Sequence, residues 1–285
     1  MKIALLTDVH ANLAALQAVA ADIDAWGPDR VVVGGDLVNR GPRPRECLEL
    51  VQQRMDREGW LVTRGNHEEY VMLHAQPDTP ASGPAAEVNR ASAWTYAQLG
   101  RDVGPLQDMP LQLSLEGPSG EELRFVHGSM RGLRDGIYPE TTDRELPAML
   151  GLNGRAAQRL GVFAVGHTHR PLVRHLDGVL VVNAGSAGLP FDQDTRPSYA
   201  RLACGAAGWQ AEIVRVDYDL QAAEQDFYTT GYLPDAGPLV RLVQIELRTA
   251  CSHLYNWSVR YQAAAARGEI SMQDSVEQYL AEMGL

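Results

Sequence analysis

Residues 31–40 read VVVGGDLVNR, and this stretch decides how the rest of the chain is read. Three consecutive valines suit a strand buried on both faces. The two glycines that follow remove side chains where backbone must turn or approach something closely. A carboxylate, Asp36, comes next, carried out of the core by a strand that has no packing reason to end in a charge.

The same pattern recurs on both sides. KIALLT (2–7) reads as a buried strand ending at Asp8, and WLVTRG (60–65) as one that delivers Asn66 and His67. Between them, ANLAALQAVAADIDAW (11–26) has helical composition, with Leu13, Leu16, Val19 or Ala20, and Ile23 on one side and Gly27-Pro28 closing it. PRECLELVQQRMDRE (44–58) reads as a second helix, stopped near Gly59. Alternating strands and helices predict a sheet with helices packed on it, and sites in such sheets gather beyond the carboxyl ends of the strands.

Further along, composition shifts between residues 76 and 110, where PDTPASGPAAEVNR precedes a helical ASAWTYAQLG; this segment is expected to be a lid or insertion. From Leu111 the pattern turns to short strands separated by glycine-rich turns, LQLSL, ELRFVHG, VFAVGH, PLVRHL, VLVVNAG, SYARLA and WQAEIVRVDY, which predict a second sheet packed on the first. Two helices are expected after that, one over LVRLVQIELRTACSHLYNWSVRYQAAAARG (239–268) and one over SMQDSVEQYLAEM (271–283), the latter started by Ser271 with Asp274. The organisation expected is one domain over 1–217 and a helical extension over 218–285. That extension would pack on the domain or contact a second copy of the chain.

Composition narrows the class of protein. The 285 residues are 45% hydrophobic, enough for a sizeable core, and 25 Lys plus Arg against 36 Asp plus Glu give a formal charge of −11. Such a surface repels long polyanions, so no extended nucleic-acid surface is expected. Three separated cysteines, Cys47, Cys204 and Cys251, fit reduced structural thiols. MKIALLTD is too short for a signal-peptide core and no later apolar run approaches bilayer length, so a cytoplasmic address without membrane contact is expected.

Eight histidines are present, and five fall in the strand-end clusters TDVH, RGNHEE, FVHGS and VGHTH. With Asp8, Asp36 and Asn66 they offer oxygen and imidazole donors suited to Mn²⁺, Fe²⁺, Ni²⁺, Co²⁺ or Zn²⁺, with no thiolate. Asp8 and His10 are two apart, as are His167 and His169, a spacing that lets both side chains reach one ion. Glycines 34, 35, 65, 128 and 166 flank these residues. The bland alternative is a set of structural polar groups at strand ends, and so many coincident clusters disfavour it.

The ordered set D-x-H, G-D, G-N-H-E, a lone H and G-H-x-H resembles the calcineurin-like metallophosphoesterase family. That resemblance implies an α/β fold, a four-layer αββα sandwich of two mixed β-sheets flanked by helices. It also implies two divalent ions, manganese first among those named. One would be held by Asp8, His10, Asp36 and His169, the other by Asp36, Asn66, His127 and His167. Two close dications repel strongly unless anions lie between them, and a bridging Asp36 with a bridging hydroxide would supply those. In the same resemblance His67 protonates the leaving oxygen or stabilises the transition state, with Asp8 or Glu68 as its hydrogen-bonding partner.

GDLVNRG (35–41) is similar to the G-D-x-V-D-R-G segment of protein Ser/Thr phosphatases and dinucleoside tetraphosphatases in this family, which makes Arg40 the substrate-phosphate residue; Asn39 stands where that segment has aspartate. VHGSMRG and NAGSAGLP resemble the compact bacterial phosphodiesterases instead, with Pro190-Phe191 where that branch often has Pro-Arg. The function implied is hydrolysis of phosphomonoesters or phosphodiesters, small nucleotide-type substrates favoured, by a metal-bridging hydroxide. The competing readings are a protein phosphatase and a non-catalytic scaffold that binds a partner.

Other residues take structural readings. Arg64 stands evenly between substrate contact and surface ion pair, whereas Arg131 and Arg134 are expected to be loop charges. His74, His175 and His253 read as surface or satisfied core histidines, and Ser129 and Ser186 as turn residues without a triad neighbourhood. Trp94 and Tyr96 are expected to fill core, with a nucleobase cover as the alternative.

Overall fold

The computed structural model describes residues 1–152 and 159–285. β1 (Lys2–Leu6) lies parallel to β2 (Arg30–Val33), and β2 parallel to β3 (Leu61–Val62). Side chains alternate across these strands as the pleat requires. Ile3, Leu5 and Val32 face one core, while Ala4, Leu6, Val31 and Val33 face another beneath the helices Leu13–Trp26 and Pro44–Glu58. Asn12 caps the first helix by accepting from the Ala15 N–H at 3.1 Å, and Pro44 opens the second, where a missing N–H costs nothing.

The second sheet contains β4 (Gln112–Glu116), β5 (Glu122–Val126), β6 (Leu160–Val165), β7 (Leu172–Leu176) and β8 (Val179–Asn183), in the order β4-β5-β6-β8-β7. Two strands depart from the sequence expectation. β9 (Ser198–Gly205) and β10 (Gly208–Arg215) return to the first sheet, where β9 pairs antiparallel with β1, giving the order β10-β9-β1-β2-β3. The reason is packing: Ala200, Leu202 and Trp209 join Ile3, Leu5, Phe125, Val162 and Val182 in the core between the sheets. Both sheets are mixed, and helices cover their outer faces, so the architecture is the four-layer αββα sandwich.

The helical segment after residue 218 also differs from expectation. The single helix expected over 239–268 is broken. Val240–Thr249 ends where Ala250 turns left-handed (φ 49°), and a new helix starts at His253. Glu246 explains the break, because its Oε1 accepts from the Leu254 N–H at 2.7 Å and so caps the next helix from outside it. The helix from His253 passes through a π-turn at Ser258–Gln262 and continues to Ala266. Ser271 does cap the last helix, Met272–Met283, accepting from the Asp274 N–H.

The helix Leu220–Thr229 packs on Leu13–Trp26, where Ala223 and Phe227 join Ala14, and the same cluster takes in Ala91 and Trp94. No described helix is long and apolar enough to cross a membrane.

Candidate metal centre

Asp8, Asp36, Asn66, His127 and His167 each follow a strand of one of the two sheets, and all converge at one end of the sandwich. Asp8, His10 and His169 form one group, and Asp36, His127 and His167 another, with ligating atoms within 4.8 Å of one another in each. Asn66 joins the second group, its Oδ1 lying 3.0 Å from His127 Nε2 and 2.8 Å from His167 Nδ1. All seven residues expected as ligands are thus brought together, with His67 beside them in a further group with His10 and Asp36.

The backbone here is strained in a consistent way. Asp8, His10, Asp36, Asn39, Arg40, His167 and His169 all have positive φ, between 48° and 69°. Such conformations are uncommon outside glycine and gather at functional sites, where surrounding structure enforces them. Two glycines make room: a Cβ at Gly65 would strike Asp36 Oδ1, and one at Gly166 would strike Asp8 Oδ2.

Each aspartate has one oxygen anchored and one directed at imidazoles. Asp8 Oδ2 accepts from the His167 N–H at 2.9 Å, whereas its buried Oδ1 has no hydrogen-bond partner and lies 3.3 Å from His169 Nε2. Asp36 Oδ1 accepts from the His67 N–H at 2.8 Å. Its Oδ2 sits between the groups, 3.3 Å from His127 Nε2 and 3.7 Å from His10 Nε2. A buried carboxylate oxygen with no donor, beside imidazole nitrogens, is a donor set that fits a divalent cation.

The histidines are oriented from behind. Nδ1 of His10 faces the Asn39 carbonyl, that of His127 the Gly34 carbonyl at 2.9 Å, and that of His169 the Leu189 carbonyl. A carbonyl can only accept, so Nδ1 carries a proton and Nε2 is the nitrogen turned inward. The His10 and His169 Nε2 atoms accordingly meet at 3.0 Å.

Electrostatics follow the same division. Burial, then the neighbouring His169 and His67, depresses His10; burial depresses His67 and brings His167 down to about 4. These rings are neutral, which leaves those of His10 and His167 available as ligands. Burial also opposes a charge on His127, but Asp36 outweighs it and raises that imidazole to about 10. For Asp36 burial favours the neutral acid, yet the neighbouring His127 holds its carboxyl well below the ordinary range.

Sequence reasoning missed two supports. Glu68 does not bond His67. Its carboxylate accepts from the N–H groups of Asp36, Leu37, Val38 and Gly65 at 2.7–3.2 Å, clamping the loop that carries Asp36 to the one that carries Asn66. Burial and the Asp36 charge push it up to about 7. Ser186 Oγ donates to the Asp8 carbonyl at 2.6 Å and accepts from the Leu189 N–H at 2.7 Å, so NAGSAGLP braces Asp8. The acidic residue after GNH was a visible signal for Glu68, whereas backbone partners gave none for Ser186.

Asp8 does not partner the His67 ring either. That partner is Asn39, at 2.9 Å between Nδ2 and Nδ1. The amide orientation is pinned, because Asn39 Oδ1 accepts from the Arg40 N–H at 2.9 Å. Asn39 therefore donates to His67 Nδ1, which must be unprotonated, and the ring proton sits on Nε2.

The remaining residues fall as their chemistry suggests. Arg40 lines a cavity that His67 also lines, and its Nε has no partner among the described residues. Arg131 pairs with Asp135 and Arg134 with Glu69, while among the described residues the Arg64 guanidinium reaches only Met72 Sδ, at 3.9 Å. His74 bonds Ser92, His253 bonds Tyr279, and His175 is exposed. Trp94 packs against Tyr232 and Tyr96 against the core under the first sheet.

Residues 1–206 match the family model of the calcineurin-like phosphoesterase superfamily domain. An uncharacterized protein of Methanocaldococcus jannaschii is 27% identical over 237 residues, spanning 78% of this chain and 89% of its own. The crystal structure of a metallophosphoesterase from Sphaerobacter thermophilus is 28% identical with a TM-score of 0.66, covering 88% of this chain and 100% of that one. A hypothetical protein from Pyrococcus horikoshii OT3, 22% identical, shares the fold with a TM-score of 0.68 over 84% of this chain and 95% of its own.

Proposed function

Because this chain belongs to the calcineurin-like phosphoesterase superfamily, we propose that it hydrolyses phosphate esters of small, nucleotide-type molecules at a centre for two divalent ions. Asp36 Oδ2 carries the reading: it faces imidazoles of both groups at once, the place a bridging carboxylate must occupy. Asp8, His10, Asp36 and His169 would hold one ion, and Asp36, Asn66, His127 and His167 the other. Manganese is the ion we favour, since carboxylate and carbonyl oxygens mixed with imidazoles suit it. When bound, such ions acidify water into a nucleophile and neutralise charge on phosphate oxygens.

The chain's own residues supply the rest. Arg40 offers a planar guanidinium to the phosphate oxygens. His67, neutral and protonated on Nε2, donates a hydrogen bond to the departing oxygen as negative charge builds there. Of the two roles that family resemblance allows, Asn39 favours this one. An amide donor on Nδ1 disfavours the imidazolium that full proton transfer would need.

His67→Ala tests the assignment. Metal content should stay at the parental level while kcat falls about 10²- to 10³-fold, most for esters with poor leaving groups. Parental kcat on such esters would remove His67 from the mechanism.

A further inference from the structure

A cavity of about 330 Å³ opens beside the proposed phosphate position, and three separate parts of the chain line it. Arg40 comes from the loop after β2, His67 and Tyr70 from the helix Asn66–Met72, and Asn89 and Ser92 from the segment expected to be a lid. The helices after residue 218 contribute Tyr255, Ser258 and Gln262. We propose that this cavity is the subsite for the nucleoside of a nucleotide ester, and that the C-terminal helices are therefore a specificity element. The inference rests on the phosphoesterase reading for the phosphate it places at Arg40.

Volume and lining decide the class of occupant. The cavity lies at the small end of organic-ligand sites, which begin at about 300 Å³. Arg40 is the one lining residue with a formal charge, so the group beyond the phosphate is uncharged. Aliphatic and aromatic side chains alternate with amides and hydroxyls that can both donate and accept, the pairing a nucleobase edge requires. A phosphopeptide, extended and studded with charges, matches neither property.

Two independent observations point to the same wall. Tyr255 is 65% exposed, a large ring at the mouth of the cavity with no stacking partner among the described residues, and aromatic faces of this kind are platforms for bases. The helix that carries it widens into a π-turn at Ser258–Gln262, where the cavity is lined, and such turns recur at functional sites. Glu246 fixes the start of this helix through the Leu254 N–H, so the platform is held by a buried cap.

The test uses the full chain and two variants, Ser258→Trp to fill the cavity and Gln262→Ala to remove an amide at an exposed helical position. Calorimetric titration with each of the four common ribonucleosides should show binding of at least one to the parent and weaker binding to both variants. The ratio of kcat/KM for nucleoside monophosphates to that for glycerol phosphate should fall roughly 10- to 100-fold in Ser258→Trp. Absence of nucleoside binding by the parent, or an unchanged ratio in both variants, overturns the proposal. Should the parent hydrolyse no ester at all, the phosphoesterase reading fails, and the calorimetry still decides whether the subsite exists.

Discussion

At the scale of single residues, Asn39 separates this centre from the segment it otherwise resembles. Its amide holds His67 in the tautomer with Nε2–H while burial keeps the ring neutral. Asn39→Asp would reverse that preference, because a carboxylate accepts from Nδ1–H and raises the imidazole pKa. The Nε2 donor would then persist only in the imidazolium. Activity of Asn39→Asp should therefore be present below the raised pKa and lost as pH climbs through it, an alkaline limb that the parent's kcat profile lacks. Identical profiles for parent and variant would show that Asn39 does not set the tautomer. Asp8, His10, Asp36, Asn66, His127, His167 and His169 were all legible because each stands at the end of an apolar strand, where a polar side chain needs a reason. Glu68 as a clamp and Ser186 as a brace were not. Their partners are backbone N–H and C=O groups, which every residue has and no spacing reveals.

Among the elements, the two long helices of the first half were legible, the second at both ends and the first at its C-terminus, its start falling at Leu13 rather than at Ala11. Pro44 and the glycines after Trp26 and Glu58 mark where each can start and stop. The return of β9 and β10 to the first sheet was not, since strand composition is the same in either sheet and only the core between them decides. Nor was the break at Ala250, which depends on Glu246 reaching across to Leu254. That capping role leaves Glu246 fully buried with Oε2 unpartnered, and burial raises its carboxyl above the ordinary 4.5 despite the pull of Arg40. The unfolded chain ionises at the ordinary value, so the native state loses stability as pH rises from there until the buried carboxyl ionises too. Glu246→Gln keeps the Oε1 acceptor and cannot ionise. Its melting temperature should match the parent near about pH 4 and exceed it increasingly toward about pH 8. A difference that does not move with pH would mean the buried carboxyl is not the strained group.

For the whole molecule, the family model ends at residue 206, before the helices that close around Arg40 and His67. All of the candidate ligands and all strands but β10 thus lie in the part that matches the family. One wall of the cavity, with Tyr255, Ser258 and Gln262, comes from the part beyond that match, and we place the proposed substrate preference there. The phosphoesterase reading depends on one claim, that Asp36 joins two ions in a single centre. Metal content per chain, measured on manganese-loaded parent and Asp36→Asn alongside hydrolysis of a phosphate ester panel, tests it most directly. Two ions per parental chain are expected, with fewer in a folded Asp36→Asn and turnover lost with them; two ions and parental turnover in Asp36→Asn would remove the bridging role of Asp36.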